Sequence, residues 1–167
     1  MSVRPELLLN QDEPICEKTF LPLLNQNMPH PIRIILVDDH DLVRESWKVL
    51  FDKDDKFSII AQCRNGNEAV EQTLALQPDI VLMDINMTPI NGFEATQRIL
   101  QGAPAVRVIG VSINNNPKYA VRMMELGAMG FVTKTSAFAE LKSAIQKVHA
   151  GEKYICQEIQ RIMSEGR

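Results

Sequence analysis

Ile32-Arg-Ile-Ile-Leu-Val-Asp-Asp39 decides the architecture. Its first six residues form an almost unbroken β-branched and apolar run, which only burial on both faces of a parallel sheet satisfies. The two acids end that strand. Leu42, Val43, Trp47, Leu50 and Phe51 follow at helical spacing and close in the polar Asp52-Lys-Asp-Asp-Lys56 loop. The alternation then repeats. Phe57 to Cys63 reads as a second strand, Asn65-Gly66 as a turn, and Asn67 as the N-cap of a helix running to about Leu76. Pro78 to Met83 is a third strand, and Asn91-Gly-Phe-Glu94 opens a helix that ends near Gly102. Val106 to Val111 is a fourth strand; Asn116-Pro117 starts a helix that stops at Gly127. Met129 to Val132 forms a short fifth strand, and Ser136 caps a helix whose Leu141, Ala144, Ile145 and Val148 make one apolar stripe up to Gly151.

Five strand and helix units in succession require right-handed crossovers, hence a parallel sheet covered on both faces. A closed barrel needs about eight units. The expected fold is therefore α/β, a doubly wound five-stranded parallel sheet of order 2-1-3-4-5, which places ligands beyond the carboxyl ends of its strands.

The flanks and the composition fit one domain with appendages. The 167 residues are 45% hydrophobic and 23% charged, the balance of a packed globular chain. Eighteen Lys and Arg against 21 Asp and Glu give a net charge of -3, which argues against a phosphate-backbone binder and so against direct nucleic-acid binding. No apolar run reaches membrane-spanning length and Leu7, Leu8 and Leu9 lack the flanks of a leader, so a cytoplasmic protein without a membrane partner is expected. Cys16, Cys63 and Cys156 are odd in number and widely spaced, which reads as separate reduced thiols with Cys63 in a core strand. Residues 1 to 30, punctuated by Pro5, Pro14, Pro22 and Pro29, read as an N-terminal extension, either a mobile tail or one that docks through Thr19 to Leu24. Beyond Gly151, Tyr154 to Met163 sets Ile155, Ile159 and Ile162 on one helical face that needs a partner.

Four strand ends finish in reactive polar groups: Asp38-Asp39, Asp84, Ser112 and Lys134. Any one alone reads as an N-cap or a solvated turn residue. In the order 2-1-3-4-5 these ends are neighbours about 5 Å apart, so their side chains converge. Clustered carboxylates repel by about 4 kcal/mol per close pair at an effective dielectric near 20. Lys134 supplies one compensating charge, and the all-oxygen acid set is a shell that Mg²⁺ accepts. A cation, a carboxylate, an ammonium and a hydroxyl in one cleft suit phosphoryl transfer to an aspartate, with metal and Lys134 neutralising the equatorial oxygens. Asp84, alone on its strand, is the nucleophile; Asp38 and Asp39 are placed to hold the metal.

These residues resemble the receiver domains of two-component response regulators, over about residues 31 to 151. The likeness rests on Val37-Asp-Asp-His40, Val81-Leu-Met-Asp-Ile-Asn-Met87, Gly92, Gly110-Val-Ser112, Gly127-Ala-Met-Gly130 and Thr133-Lys134. It implies that Asp84 is the phosphoacceptor and that Asp38 and Asp39 ligate Mg²⁺ together with the backbone carbonyl of Asn86. Ser112 would contact the phosphoryl group, Lys134 would be the motif's lysine, and Phe131 would be the aromatic switch residue, facing the fourth helix. His40 reads as a solvated residue at the rim. The pattern departs at Thr88, where the family usually has proline and the proline comes one later at Pro89. It departs again at Thr135, where many relatives have a cis proline.

The resemblance implies a non-enzymatic regulator that takes phosphate from a sensor histidine kinase and dimerises on phosphorylation. The Gly-Glu-Lys-Tyr-Ile run looks like the joint of the LuxR-type subgroup, whose helix-turn-helix output domain binds DNA. Residues 152 to 167 would then be a linker helix toward an output domain that does not fit after Ile162, in either a shortened chain or a stand-alone receiver acting on a protein partner. A small Mg²⁺-dependent phosphatase is the competing reading; such enzymes commonly need a second acid two residues after the nucleophile, where Asn86 stands.

Overall fold

The computed structural model describes residues 30–166. The extension read over residues 1 to 30, with Thr19 to Leu24 and Cys16, lies outside the described residues save for His30. Strand β1 (Ile32–Val37) runs parallel to β2 (Phe57–Cys63) on one side and β3 (Ile80–Asp84) on the other. Beyond β3 follow β4 (Arg107–Ser112), β5 (Gly130–Thr133) and β6 (Tyr154–Ile155), again parallel. The order β2-β1-β3-β4-β5-β6 is the doubly wound arrangement expected, with a sixth strand added at its edge. Ile34, Ile35, Leu36 and Val37 are all buried, as an unbroken apolar strand between two helical layers requires.

Helices α2 (Gly66–Leu76), α3 (Gly92–Gly102) and α4 (Pro117–Glu125) pack in series on one face. On the other lie α1 (Asp41–Phe51) and α5 (Phe138–His149). There the Phe51 ring meets Phe138 edge-on at 4.9 Å and Phe57 at 5.5 Å. Asn116 caps α4 by accepting from Lys118 N, with Pro117 opening the helix. No helix among the described residues is long and apolar enough to cross a membrane.

Local details differ from the sequence expectation. The cap of α2 is Asn65, not Asn67: Asn65 Oδ1 accepts from Glu68 N at 3.0 Å, and Glu68 returns the bond to Arg64 N at 2.9 Å. Gly66 is already helical, and its role is close packing, since a Cβ there would lie 2.8 Å from the Ile90 carbonyl oxygen. Ser136 does not cap α5 either; the N-cap is Ala137, and Ser136 Oγ stands 3.1 Å from Thr133 Oγ1. In α1, Leu42 is 79% exposed while Arg44 is buried, because the first turn leans over the strand ends and turns the guanidinium inward.

The run from Tyr154 to Met163 is not one helix. Tyr154 and Ile155 pair with Gly130 and Phe131, and α6 (Gln157–Glu165) begins only after Cys156. The cause lies in β5, whose outer edge carries unpaired backbone groups beside a buried core. Tyr154 N donates to Met129 O at 3.0 Å and Cys156 N to Phe131 O at 2.9 Å. Ile159 alone of the α6 isoleucines is fully buried, and α6 rests against α4.

Candidate functional site

The site is built where β1, β3, β4 and β5 end. Asp38 follows β1 and Asp84 closes β3; both side chains are 2% exposed. Lys134, which follows β5 and is 11% exposed, spans them. Its Nζ donates to Asp84 Oδ2 at 3.0 Å and stands 2.5 Å from Asp38 Oδ2. The second contact is a charge contact rather than an aligned hydrogen bond, so Asp38 Oδ2 is a buried oxygen without a donor. Asp84 Oδ1 accepts from Asn86 N at 3.2 Å.

The backbone around each acid is fixed by its neighbours. A Cβ on Gly92 would collide with the Asp84 carbonyl oxygen and stand 2.8 Å from Ile85 Cα, so only glycine lets α3 start this close to β3. Gly92 N donates to Ile85 O at 3.0 Å and closes the loop between them. On the β1 side, Arg44 Nη1 donates to the Asp38 carbonyl oxygen at 2.5 Å, and its other nitrogen pairs with Asp41. Sequence reasoning passed over Arg44. The signal was present: Arg44, Trp47 and Phe51 share one helical stripe, and a lone arginine on such a stripe is buried only when its donors are met.

His40 is 62% exposed at the rim, as expected, yet its Nδ1 lies 2.8 Å from Asp39 Oδ1 and 3.1 Å from Asp38 Oδ1. Ligand atoms of Asp38, Asp39, His40 and Asp84 all fall within 4.8 Å of one another. Three carboxylates set against one ammonium, with a buried carboxylate oxygen left without a donor, form a donor set that fits a hard divalent cation. Asn86 is exposed beside this cluster.

Ser112 ends β4 fully buried, and its Oγ accepts from Asn114 N at 3.0 Å. Among the described residues that hydroxyl makes no hydrogen bond to Asp84 or Lys134, although Lys134 N donates to Ser112 O at 2.8 Å. Phe131 is fully buried on the α4 side of β5; a Cβ on Gly110 would meet both its ring and Met123 of α4. The peptide after Lys134 is trans, the one cis bond among the described residues being Thr88–Pro89.

Burial raises the Asp84 carboxyl above its ordinary 3.8, and the nearby Asp38 charge adds to the rise, while the Lys134 ammonium opposes both without cancelling them. For Lys134 burial works toward a lower value, but its contacts with Asp38 and Asp84 outweigh that and hold it above 10.5. The cleft therefore keeps a firmly protonated ammonium against a carboxylate that is costly to charge without added positive charge.

Residues 34–146 match the response regulator receiver domain. The response regulator GacA of Pseudomonas viridiflava is 37% identical over 128 residues, which span 77% of this chain and 60% of that protein. The transcriptional regulatory protein LnrK of Bacillus subtilis is 38% identical over 120 residues, 72% of this chain and 54% of its own length. This chain thus covers little more than half of such relatives. A solved LuxR-family two-component response regulator from Aurantimonas superposes with a TM-score of 0.78 at 34% identity, covering 82% of this chain and 98% of that one. With its sheet order, its strand-end acids and these relatives in agreement, the chain belongs to the response regulator receiver domain family of two-component signalling, among its LuxR-type members.

Proposed function

We propose that this chain is a phosphoacceptor switch in which Asp84 accepts a phosphoryl group from a sensor histidine kinase. The observation that carries the reading is the buried Asp84 carboxylate, bonded to Lys134 within the cluster of Asp38, Asp39, His40 and Asp84. Mg²⁺ fits Asp38, Asp39, Asp84 and the backbone carbonyl of Asn86, and when bound it supplies the positive charge that neutralises the phosphoryl oxygens.

The chain's own residues do the rest. An Asp84 carboxylate oxygen attacks phosphorus as the P–N bond of the kinase phosphohistidine breaks. The bonding pair leaves on the imidazole nitrogen, which takes up a proton from water, and an aspartyl phosphate remains. Lys134 Nζ, already at Asp84 Oδ2, moves its hydrogen bonds to the new oxygens. Ser112 turns its hydroxyl proton to the same group, and Phe131, packed toward Met123, follows the change at the α4 face. Leu42, exposed beside Val43, Trp47 and Lys134, offers the kinase an apolar rim. The modified chain dimerises and acts in the cytoplasm, and in a longer protein residues 152 to 167 lead to an output domain that binds DNA and controls transcription.

Intact mass after incubation with acetyl phosphate and Mg²⁺ tests this. Wild type is expected to gain one labile phosphoryl group and Asp84→Asn none. Equal labelling of the variant, or turnover of added phosphoesters without labelling, contradicts the reading.

A further inference from the structure

Glu158 of α6 plays no part in the site above, yet its two oxygens reach both strand ends that flank it. Oε1 accepts from Asn115 Nδ2 at 3.0 Å, in the loop after β4. Oε2 accepts from Thr133 Oγ1 at 2.9 Å, at the end of β5 directly before Lys134, and from Thr135 Oγ1 at 3.3 Å, directly after it. Three donors on one carboxylate, led by Asn115 and Thr133, hold Glu158 below the usual glutamate range, in keeping with the geometry. The apolar hold on α6 is slight by comparison: Cys156 and Ile159 are fully buried, while Ile162 is half-buried and Met163 exposed.

The Asn115 arm leads straight to the chemistry. Ser112 Oγ accepts from Asn114 N, and Asn114 Oδ1 in turn accepts from Asn116 N, the cap of α4. This hydrogen-bonded turn fixes where Asn115 sits. A phosphoryl group on Asp84 brings three strong acceptor oxygens to a cleft whose neighbouring strand end carries the Ser112 hydroxyl. When the Ser112 side chain changes rotamer to bring its hydroxyl to them, its oxygen leaves Asn114 N, the turn re-forms, and Asn115 is drawn off Glu158. The Thr133 arm is anchored in the sheet opposite Ser112 and stays.

We infer that Glu158 is a latch coupling the docking of α6 to occupancy of the Asp84 site. The inference rests on the phosphoacceptor reading. Because such coupling is reciprocal, weakening the latch must favour the occupied state by the factor by which occupancy loosens α6.

Hydrogen exchange of the amides of residues 157–165, with beryllium fluoride and Mg²⁺ as the phosphoryl stand-in and Trp47 fluorescence as a separate report of binding, tests it in the full chain. In wild type, beryllium fluoride is expected to speed α6 exchange about fivefold. Glu158→Ala is expected to exchange at the faster rate without ligand, to respond no further, and to bind beryllium fluoride about fivefold more tightly. Asn115→Ala cuts only the loop arm, the one that occupancy releases, so its α6 should exchange near the faster rate without ligand and respond no further. If Trp47 reports binding while wild-type α6 exchange does not change, the latch is refuted and the phosphoacceptor reading stands. Resting exchange in Glu158→Ala equal to wild type refutes it equally. If neither Trp47 nor intact mass responds to any phosphoryl donor or mimic, both readings fall.

Discussion

Replacing Lys134 by methionine keeps the apolar stem and removes the ammonium that touches Asp38 Oδ2 at 2.5 Å and Asp84 Oδ2 at 3.0 Å. At an effective dielectric near 20, each contact has a gross Coulomb energy of about 6 kcal/mol. Burying all three groups offsets most of that, and the measurable loss is the cost of leaving two buried carboxylates without their cation, about 3–5 kcal/mol. The pH dependence follows from Asp84, whose folded value already lies above 3.8 through burial. A raised carboxyl penalises the folded state above its folded value, and the penalty disappears as pH falls to the unfolded value. Without Lys134 the folded value rises further, so the gap between variant and wild type is largest near neutral pH and narrows as pH falls toward the ordinary carboxyl value. Urea unfolding in EDTA across that range measures it, and saturating Mg²⁺ should restore part of the loss. A loss below about 1 kcal/mol, as for an exposed pair, or one that does not vary with pH, refutes the reasoning.

Gly92→Ala forces a methyl into the Asp84 carbonyl and should cost about 1–3 kcal/mol as overpacking, with the Mg²⁺-dependent rise in melting temperature reduced; unchanged melting with and without Mg²⁺ counts against the close approach described. Asp84→Asn removes a carboxylate that burial makes costly to charge, so in EDTA near neutral pH it should melt higher than wild type, while in Mg²⁺ it should gain little; a lower melting point in EDTA contradicts the assigned direction. Burial pushes the Cys63 thiol up to about 12, so iodoacetamide should leave Cys63 unmodified in the native protein and label it fully in denaturant, read by peptide mass spectrometry. Rapid native labelling contradicts its place in the core.

What the sequence disclosed and what it withheld divide along a physical line. β1 was readable because four consecutive buried residues leave no polar face to mislead, and α4 because Asn116 and Pro117 carry their start signal within two positions. The convergence of Asp38, Asp84 and Lys134 followed from strand order alone. β6 could not be read the same way: Tyr154 and Ile155 are a strand only because β5 has a free edge, a non-local fact that two residues cannot encode. The α2 cap was misread as Asn67 because Asn65-Gly66 reads as a turn, whereas Gly66 is already the first helical residue and Asn65 caps it. Arg44 and Glu158 were missed for a related reason. Each is a charged residue on a short helix that looks solvated until its partners, the Asp38 carbonyl and the Asn115, Thr133 and Thr135 side chains, are brought to it by the fold.

The central claim concerns one carboxylate, and trapping it chemically is the most direct test. Borohydride reduces an aspartyl phosphate to homoserine, so protein treated with acetyl phosphate and Mg²⁺, reduced, and digested reports the modified residue by mass. The account predicts homoserine at position 84 alone and none when EDTA replaces Mg²⁺. Conversion at Asp38 or Asp39 instead, or no conversion with Mg²⁺ present, contradicts it.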